Sequence, residues 1–131
     1  MKRLVLFVEG LGDRQAVPVL VKRLLTEKQM WGDFLLDPNS FEVGHVQGLL
    51  KGDYKNWFRY LGAAAKRKDL AAVLVVLDGD ADVIEGKPFC ARDIARRLAD
   101  AARKVRAGTS FSVAIVFACR EFESWLIAAI E

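Results

Sequence analysis

This 131-residue chain is poor in the residues that build zinc sites and disulfide frameworks. It has one histidine, His45, and two cysteines, Cys90 and Cys119. With no Cys-x-x-Cys pair, a structural zinc site has no ligand set to draw on. Two thiols outside any such pattern predict a reduced, cytoplasmic protein. No stretch reaches about 18 uncharged apolar residues, so no helix is predicted to span a bilayer. Met1-Lys2-Arg3 is followed by only five apolar residues before Glu9, too few for the core of a secretion signal. Gly10 and Gly12 open a Gly-x-Gly, but Gln15 stands where a dinucleotide fingerprint needs its third glycine, which argues against nucleotide binding of that kind.

The totals are those of a globular domain: 53% hydrophobic and 28% charged residues, with length enough for one core. A net charge of +3 allows a nucleic-acid partner without demanding one.

The apolar residues fall in a regular order. Residues 4–8 read as a first strand. Asp13 caps a helix to about Lys28, with Val17, Leu20, Val21, Leu24 and Leu25 on its buried stripe. Pro18 removes one backbone donor in its first turns. Trp31 to Ser40 reads as a connection, with Asp37-Pro38-Asn39-Ser40 as a turn. Residues 41–46 alternate weakly as a second strand, Gly48 and Gly52 bracket a loop, and Asp53 caps a helix through Trp57, Phe58, Leu61, Ala64 and Ala65. Its basic end, Lys66-Arg67-Lys68, suits the negative end of the helix dipole. Residues 72–77 form an unbroken apolar third strand, and 83–89 a loop holding Gly86 and Pro88. A helix from about Ala91 to Ala107 buries Ile94, Leu98, Ala101 and Val105 and stops at Gly108. A fourth strand, 112–117, leads to a last apolar helix with Trp125, Leu126, Ala129 and Ile130.

This β-α-β-α-β-α-β-α order predicts an α/β fold. Four parallel strands lie between helices in a three-layer, Rossmann-like sandwich. No repeat or linker divides residues 1–131, which read as a single domain. The chain stops at Glu131 inside an uncapped apolar helix. Either that helix packs as the last element, or 1–131 is the N-terminal fragment of a longer protein. In the second case a missing region, or a second copy in a homo-oligomer, packs on the Trp125 helix.

Acids gather where strands end: Glu9 with Asp13, then Asp78, Asp80 and Asp82, then Glu121 with Glu123. In open α/β sheets ligands bind at the carboxyl ends of the strands. Carboxylates on neighbouring strand ends repel one another unless a cation holds them. Magnesium, or manganese in its place, takes oxygen ligands, one or two of them carboxylates. In an extended Asp-x-Asp step alternate residues face one side, and Gly79 and Ala81 keep the intervening positions small. Capping accounts for Asp13 taken singly, and first-turn preference for Glu121 or Glu123. Neither accounts as readily for three aspartates in one turn.

Val8-Glu9-Gly10-Leu11-Gly12-Asp13-Arg14 resembles the first motif of Toprim domains, and Leu77-Asp78-Gly79-Asp80-Ala81-Asp82 resembles their Asp-x-Asp motif. Cys119-Arg120-Glu121-Phe122-Glu123 is similar to the acidic helix start of Toprim-like families related to OLD-type nucleases, many without an assigned function. The resemblance covers essentially the whole chain, although residues 30–52 match no motif of the family. It implies that Glu9 serves acid–base chemistry or holds a metal, and that Asp78 and Asp80 bind magnesium. Asp13, Asp82, and Glu121 or Glu123 are then further ligands. A two-metal arrangement of this kind serves phosphodiester cleavage in nucleic acid. Topoisomerase chemistry needs a nucleophilic tyrosine from another region, and only Tyr54 and Tyr60 exist here, both on a helix that reads as half core.

Arg14, Lys87 and Arg120 are candidates for phosphate contact. The lysines and arginines of 66–68 and 92–106 form either a phosphate track or ordinary solvated helix faces. Two other readings compete with a nuclease. One is aspartyl-phosphate phosphotransfer of phosphatase or receiver type, with a strand-end aspartate as nucleophile. The other is a non-catalytic interaction module docking through Trp125. A calcium loop is excluded, because Val83 and Phe89 stand where it needs glycine and a bidentate glutamate.

Overall fold

The computed structural model describes residues 2–27, 34–78, 83–84, 86–88, 90–105 and 111–118, except the side chains of 11–14, 83, 84, 105 and 118. The elements run β1 (Lys2–Val8), α1 (Leu11–Glu27), β2 (Phe34–Leu36), β3 (Phe41–Glu42), α2 (Val46–Ala65), β4 (Leu70–Asp78), β5 (Val83–Ile84), β6 (Lys87–Pro88), α3 (Ala91–Ala102), a 3-10 turn (Arg103–Val105) and β7 (Ser112–Ala118).

All pairings in the main sheet are parallel, in the order β2-β1-β4-β7, with β3 also on β1. β2 pairs with the start of β1 and β3 with its end. The sheet therefore has four columns, one edge of which is a broken strand. β1 and β4 are apolar along their length because both faces of a central parallel strand are covered. Val5 and Phe7 of β1, with Val73, Val75 and Leu77 of β4, meet α2 and α3. Leu4, Leu6 and Val8, with Val76, meet Val17 and Val21 of α1. Period-two alternation thus sorts each strand between two cores. Phe7 anchors the larger core, edge to face with Phe41 at 5.2 Å and Trp57 at 6.0 Å. Trp57 is fully buried, and its Nε1–H donates to Leu98 O at 2.9 Å, tying α2 to α3.

Several boundaries differ from the sequence expectation. Residues 34–36 form β2 inside the expected connection, because Arg3, Leu4 and their neighbours leave an edge for three residues to pair on. The second strand stops at Glu42, since Val46 already begins α2 with His45 as its N-cap. That first helical turn ends at Lys51. Gly52, Asp53 and Tyr54 then take left-handed φ of 65°, 55° and 67° before the helix resumes. Asp53 therefore lies in a kink, not at a cap. Asp13 is the third residue of α1 rather than its cap, a place where an acid still suits the dipole. α3 ends at Ala102 rather than Ala107. Residues 83–88 are not plain loop but a small antiparallel hairpin, turned at Gly86 with φ 77°.

The amino end of the sheet is held by a buried ionic cluster. Asp37 is only 2% exposed. It accepts from Arg3 at 2.8 Å and Arg67 at 2.6 Å, and from the Asn39 N–H at 2.8 Å. Arg67 also lies over the Phe41 ring at 4.8 Å. Burial pushes the Asp37 carboxyl up, but the Asn39 N–H and the two guanidiniums outweigh it and hold it below the usual range. Its stabilisation is complete above about pH 4, where the unfolded carboxyl is also ionised, and is lost as pH falls through the lower folded value. D37N should cost about 2 kcal/mol at pH 7, because it leaves two partly buried guanidiniums without their anion. In urea unfolding, the gap between wild type and variant should narrow as the pH drops below about 4.

Candidate functional site

The chain leaves β1 towards β2 through α1, then crosses back through α2 to β4 and on to β7. Right-handed crossovers in opposite directions place α1 on one face and α2 and α3 on the other. Between the carboxyl ends of β1 and β4 the flanking helices therefore part and leave a crevice, the topological switch point where open α/β sheets bind ligands.

Glu9 and Asp78 stand at this crevice. β1 ends at Val8, opposite Val76, while β4 runs on two residues to Asp78, opposite Ala118. Beyond the last rung the Asp78 N–H has no β1 backbone to bond. The half-buried Glu9 carboxylate takes it instead, through Oε2 at 2.6 Å. A hydrogen bond from a backbone N–H to a carboxylate is of the stronger, charge-assisted kind. It ties the two strand ends together and fixes one oxygen of Glu9. Strand alternation turns the exposed Asp78 side chain towards the face that carries α1. The Glu9 carbonyl accepts from Gly44 N–H at 3.1 Å. This draws in the loop before α2, where His45 Nδ1 accepts from Gln47 N–H at 3.2 Å. His45 is thus a hydrogen-bonded N-cap.

The other predicted site residues are placed less fully. Asp13 and Arg14 lie in the first turn of α1, directly after the Glu9-Gly10 turn, and their side chains lie outside the described residues. So do Asp80, Asp82, Arg120, Glu121 and Glu123. The last two follow β7, whose terminal residue Ala118 pairs with Asp78. Lys87 is exposed on β6, within the connection that leaves β4. Among the described residues no three His, Cys, Asp or Glu side chains form a metal-binding group. Glu9 and Asp78 are the two predicted acids whose side chains are described. The oxygen-only donor set they offer, at adjacent strand ends, suits a hard divalent cation.

Sequence reasoning found both acids at their strand ends. It missed that Glu9 holds β4, because nothing in the sequence marks where β1 falls short of its neighbour. Trp57, Tyr54 and Tyr60 sit in or against the core, and Trp31 and Trp125 lie outside the described residues. Among the described residues no helix is long and apolar enough to cross a membrane.

Residues 8–131 match the family model of a domain of unknown function, DUF4276. The chain belongs to the DUF4276 family. The matched span begins at the end of β1 and contains every candidate site residue from Glu9 to Glu123. No curated protein and no solved structure matches the chain.

E9Q keeps an acceptor for the Asp78 N–H and should change stability by less than about 0.5 kcal/mol, whereas E9A hands that exposed donor to water and should cost about 1 kcal/mol, the net worth of the bond. Chemical denaturation of both variants checks the difference. Equal losses would place the Glu9 contribution elsewhere than in this bond.

Proposed function

We propose that this chain is a Toprim-like domain that cleaves nucleic-acid phosphodiester bonds with magnesium or manganese. The observation that carries the reading is the meeting of Glu9 with Asp78 at the switch point, with an Asp78-x-Asp80-x-Asp82 run leading away from it. The bond between them is to the Asp78 backbone, and it sets both acids at the ends of adjacent strands on one rim. Asp78 and Asp80 would hold the cation, with Asp13, Asp82, and Glu121 or Glu123 as further oxygen ligands, and Glu9 would serve as the base. The cation supplies charge neutralisation at the phosphate and a more acidic water.

The residues themselves have distinct work. The Asp78 N–H orients the Glu9 carboxylate before substrate arrives. A carboxylate has about four lone-pair directions, so this bond orients the group without exhausting it. Glu9 accepts the proton of the attacking water as the new P–O bond forms. The bond to the leaving oxygen breaks, and that oxygen takes a proton from solvent. Arg14, Lys87 and Arg120 would hold the phosphate. The thiol usage fits work in the cytoplasm.

E9Q and D78N should each lower metal-dependent nicking of plasmid DNA, or of a structured RNA, by at least about a hundredfold, with circular dichroism unchanged. In calorimetry, manganese should bind wild type and bind D78N more weakly. Undiminished cleavage in both variants rules out the site. Phosphate-mimic labelling of Asp78 that is indifferent to E9Q would replace this reading with aspartyl-phosphate chemistry. Absence of metal binding in wild type would replace it with the interaction module.

A further inference from the structure

The two helical layers differ in charge. α2, α3 and the 3-10 turn carry eight lysines and arginines against three aspartates, whereas α1 carries three against two. Among the described helices the basic excess therefore lies on one side of the sheet. Some of those cations are already engaged. Arg97 donates to Tyr54 Oη at 3.2 Å, Arg103 pairs with Asp100 at 3.5 Å, and Arg59 lies over the Tyr60 ring at 5.2 Å while keeping its charge exposed. Lys55 and Arg59 on α2, and Arg92 and Arg96 on α3, are exposed and form no ion pair among the described residues. Each pair is four residues apart on one helix, about 6 Å along the axis. The two helices lie side by side, joined by the Trp57–Leu98 hydrogen bond.

Arg92 adds an independent sign. It is the second residue of α3, where the helix dipole favours an anion and a cation is destabilising. Asp93 beside it supplies the first-turn acid that the dipole favours, and the exposed Arg92 forms no ion pair among the described residues, so its charge is open to an anion from outside. The layer also lacks what a lipid surface would need. The large exposed apolar residues among those described are Val19 and Leu35, on α1 and β2. With none exposed on α2 or α3, there is no apolar edge to insert into a bilayer.

We infer that the α2–α3 face is the docking surface for a nucleic-acid backbone, with Arg92 and Arg96 on α3 and Lys55 and Arg59 on α2 contacting its phosphates. The inference rests on the nucleic-acid reading above and adds where the polymer lies. α3 starts at the carboxyl rim, so a strand held along it reaches the crevice of Glu9 and Asp78.

Fluorescence anisotropy with a labelled 30-mer, single-stranded and duplex, tests this in EDTA, where neither metal nor cleavage contributes. R92E/R96E should weaken binding at least tenfold and lower the slope of log K against log salt by about 1.4–1.8, since each lost phosphate contact removes about 0.7–0.9. K22E/R23E makes the same charge change on exposed residues of α1 and should stay within twofold of wild type. K55E/R59E repeats the test on α2 should the first variant fail to fold. Equal weakening by the α1 and α3 variants would reduce the effect to net charge and overturn the inference, as would unchanged binding by R92E/R96E. Loss of binding to vesicles with 30% phosphatidylserine, with oligonucleotide binding intact, would assign the face to a membrane. E9Q should bind the oligonucleotide like wild type, so a failed active site and a failed docking face give separate results.

Discussion

The parallel pairing of β1 with β4 is the constraint on which the rest depends. Both strands are buried on both faces, so their side chains cannot change sides without exposing one core. Parallel pairing sends both carboxyl ends to the same rim. The chain leaves the two strands in opposite directions, and the helices therefore part there. An acid placed just after β1 and another at the end of β4 can then do little but meet. The Asp78 N–H bond to Glu9 Oε2, at 2.6 Å, follows from β4 outrunning β1 by two residues. A backbone mismatch is closed by a side chain, and the same side chain becomes oriented.

The two ends of the sheet treat charge differently. At the amino end, Asp37 is buried and matched by Arg3 and Arg67, a cluster whose anion is satisfied within the fold. At the carboxyl rim, Asp78 is exposed and the acids that follow it in sequence add further negative charge. A closed ionic cluster holds an edge; an acidic rim at a crevice is suited to binding a cation. The contrast separates the aspartate that stabilises, just after the three-residue β2, from the aspartate offered as a ligand, at the end of the nine-residue β4.

What could be read from the sequence follows the strength of its local signals. β1, β4 and β7 are continuous apolar runs, and the stripes of α1 and α3 have helical period, so these elements and their alternation were legible. The edge strand was not. Phe34-Leu35-Leu36 is three residues long with no alternation, and it is strand only because β1 offers an edge. The first turn of α2 was hidden by Gly48 and Gly52, though Val46, Leu49 and Leu50 already have helical spacing and are buried. Asp37 read correctly as a turn residue, since its Oδ1 accepts the Asn39 N–H. Its two arginines, 34 and 30 residues away, left no mark in the local sequence. Glu9 and Asp78 were legible as strand-end acids because a run of buried apolar residues cannot continue into a charge. Their mutual bond was not, because it depends on the relative lengths of two strands.

The division of charge has a consequence for any polyanionic substrate. Phosphates are repelled by the acids of the rim and attracted by the cations of the α2–α3 layer. On the proposed reading, a polymer therefore binds first along the helices. It enters the crevice only when a divalent cation has offset the carboxylates there. Docking and cleavage would then separate into two electrostatic steps with opposite ionic demands. Added monovalent salt competes with the first, and the divalent cation is required for the second. On that reading, a basic stripe on α3 beside an acidic rim would let the domain attract a phosphate backbone without neutralising the site proposed to act on it.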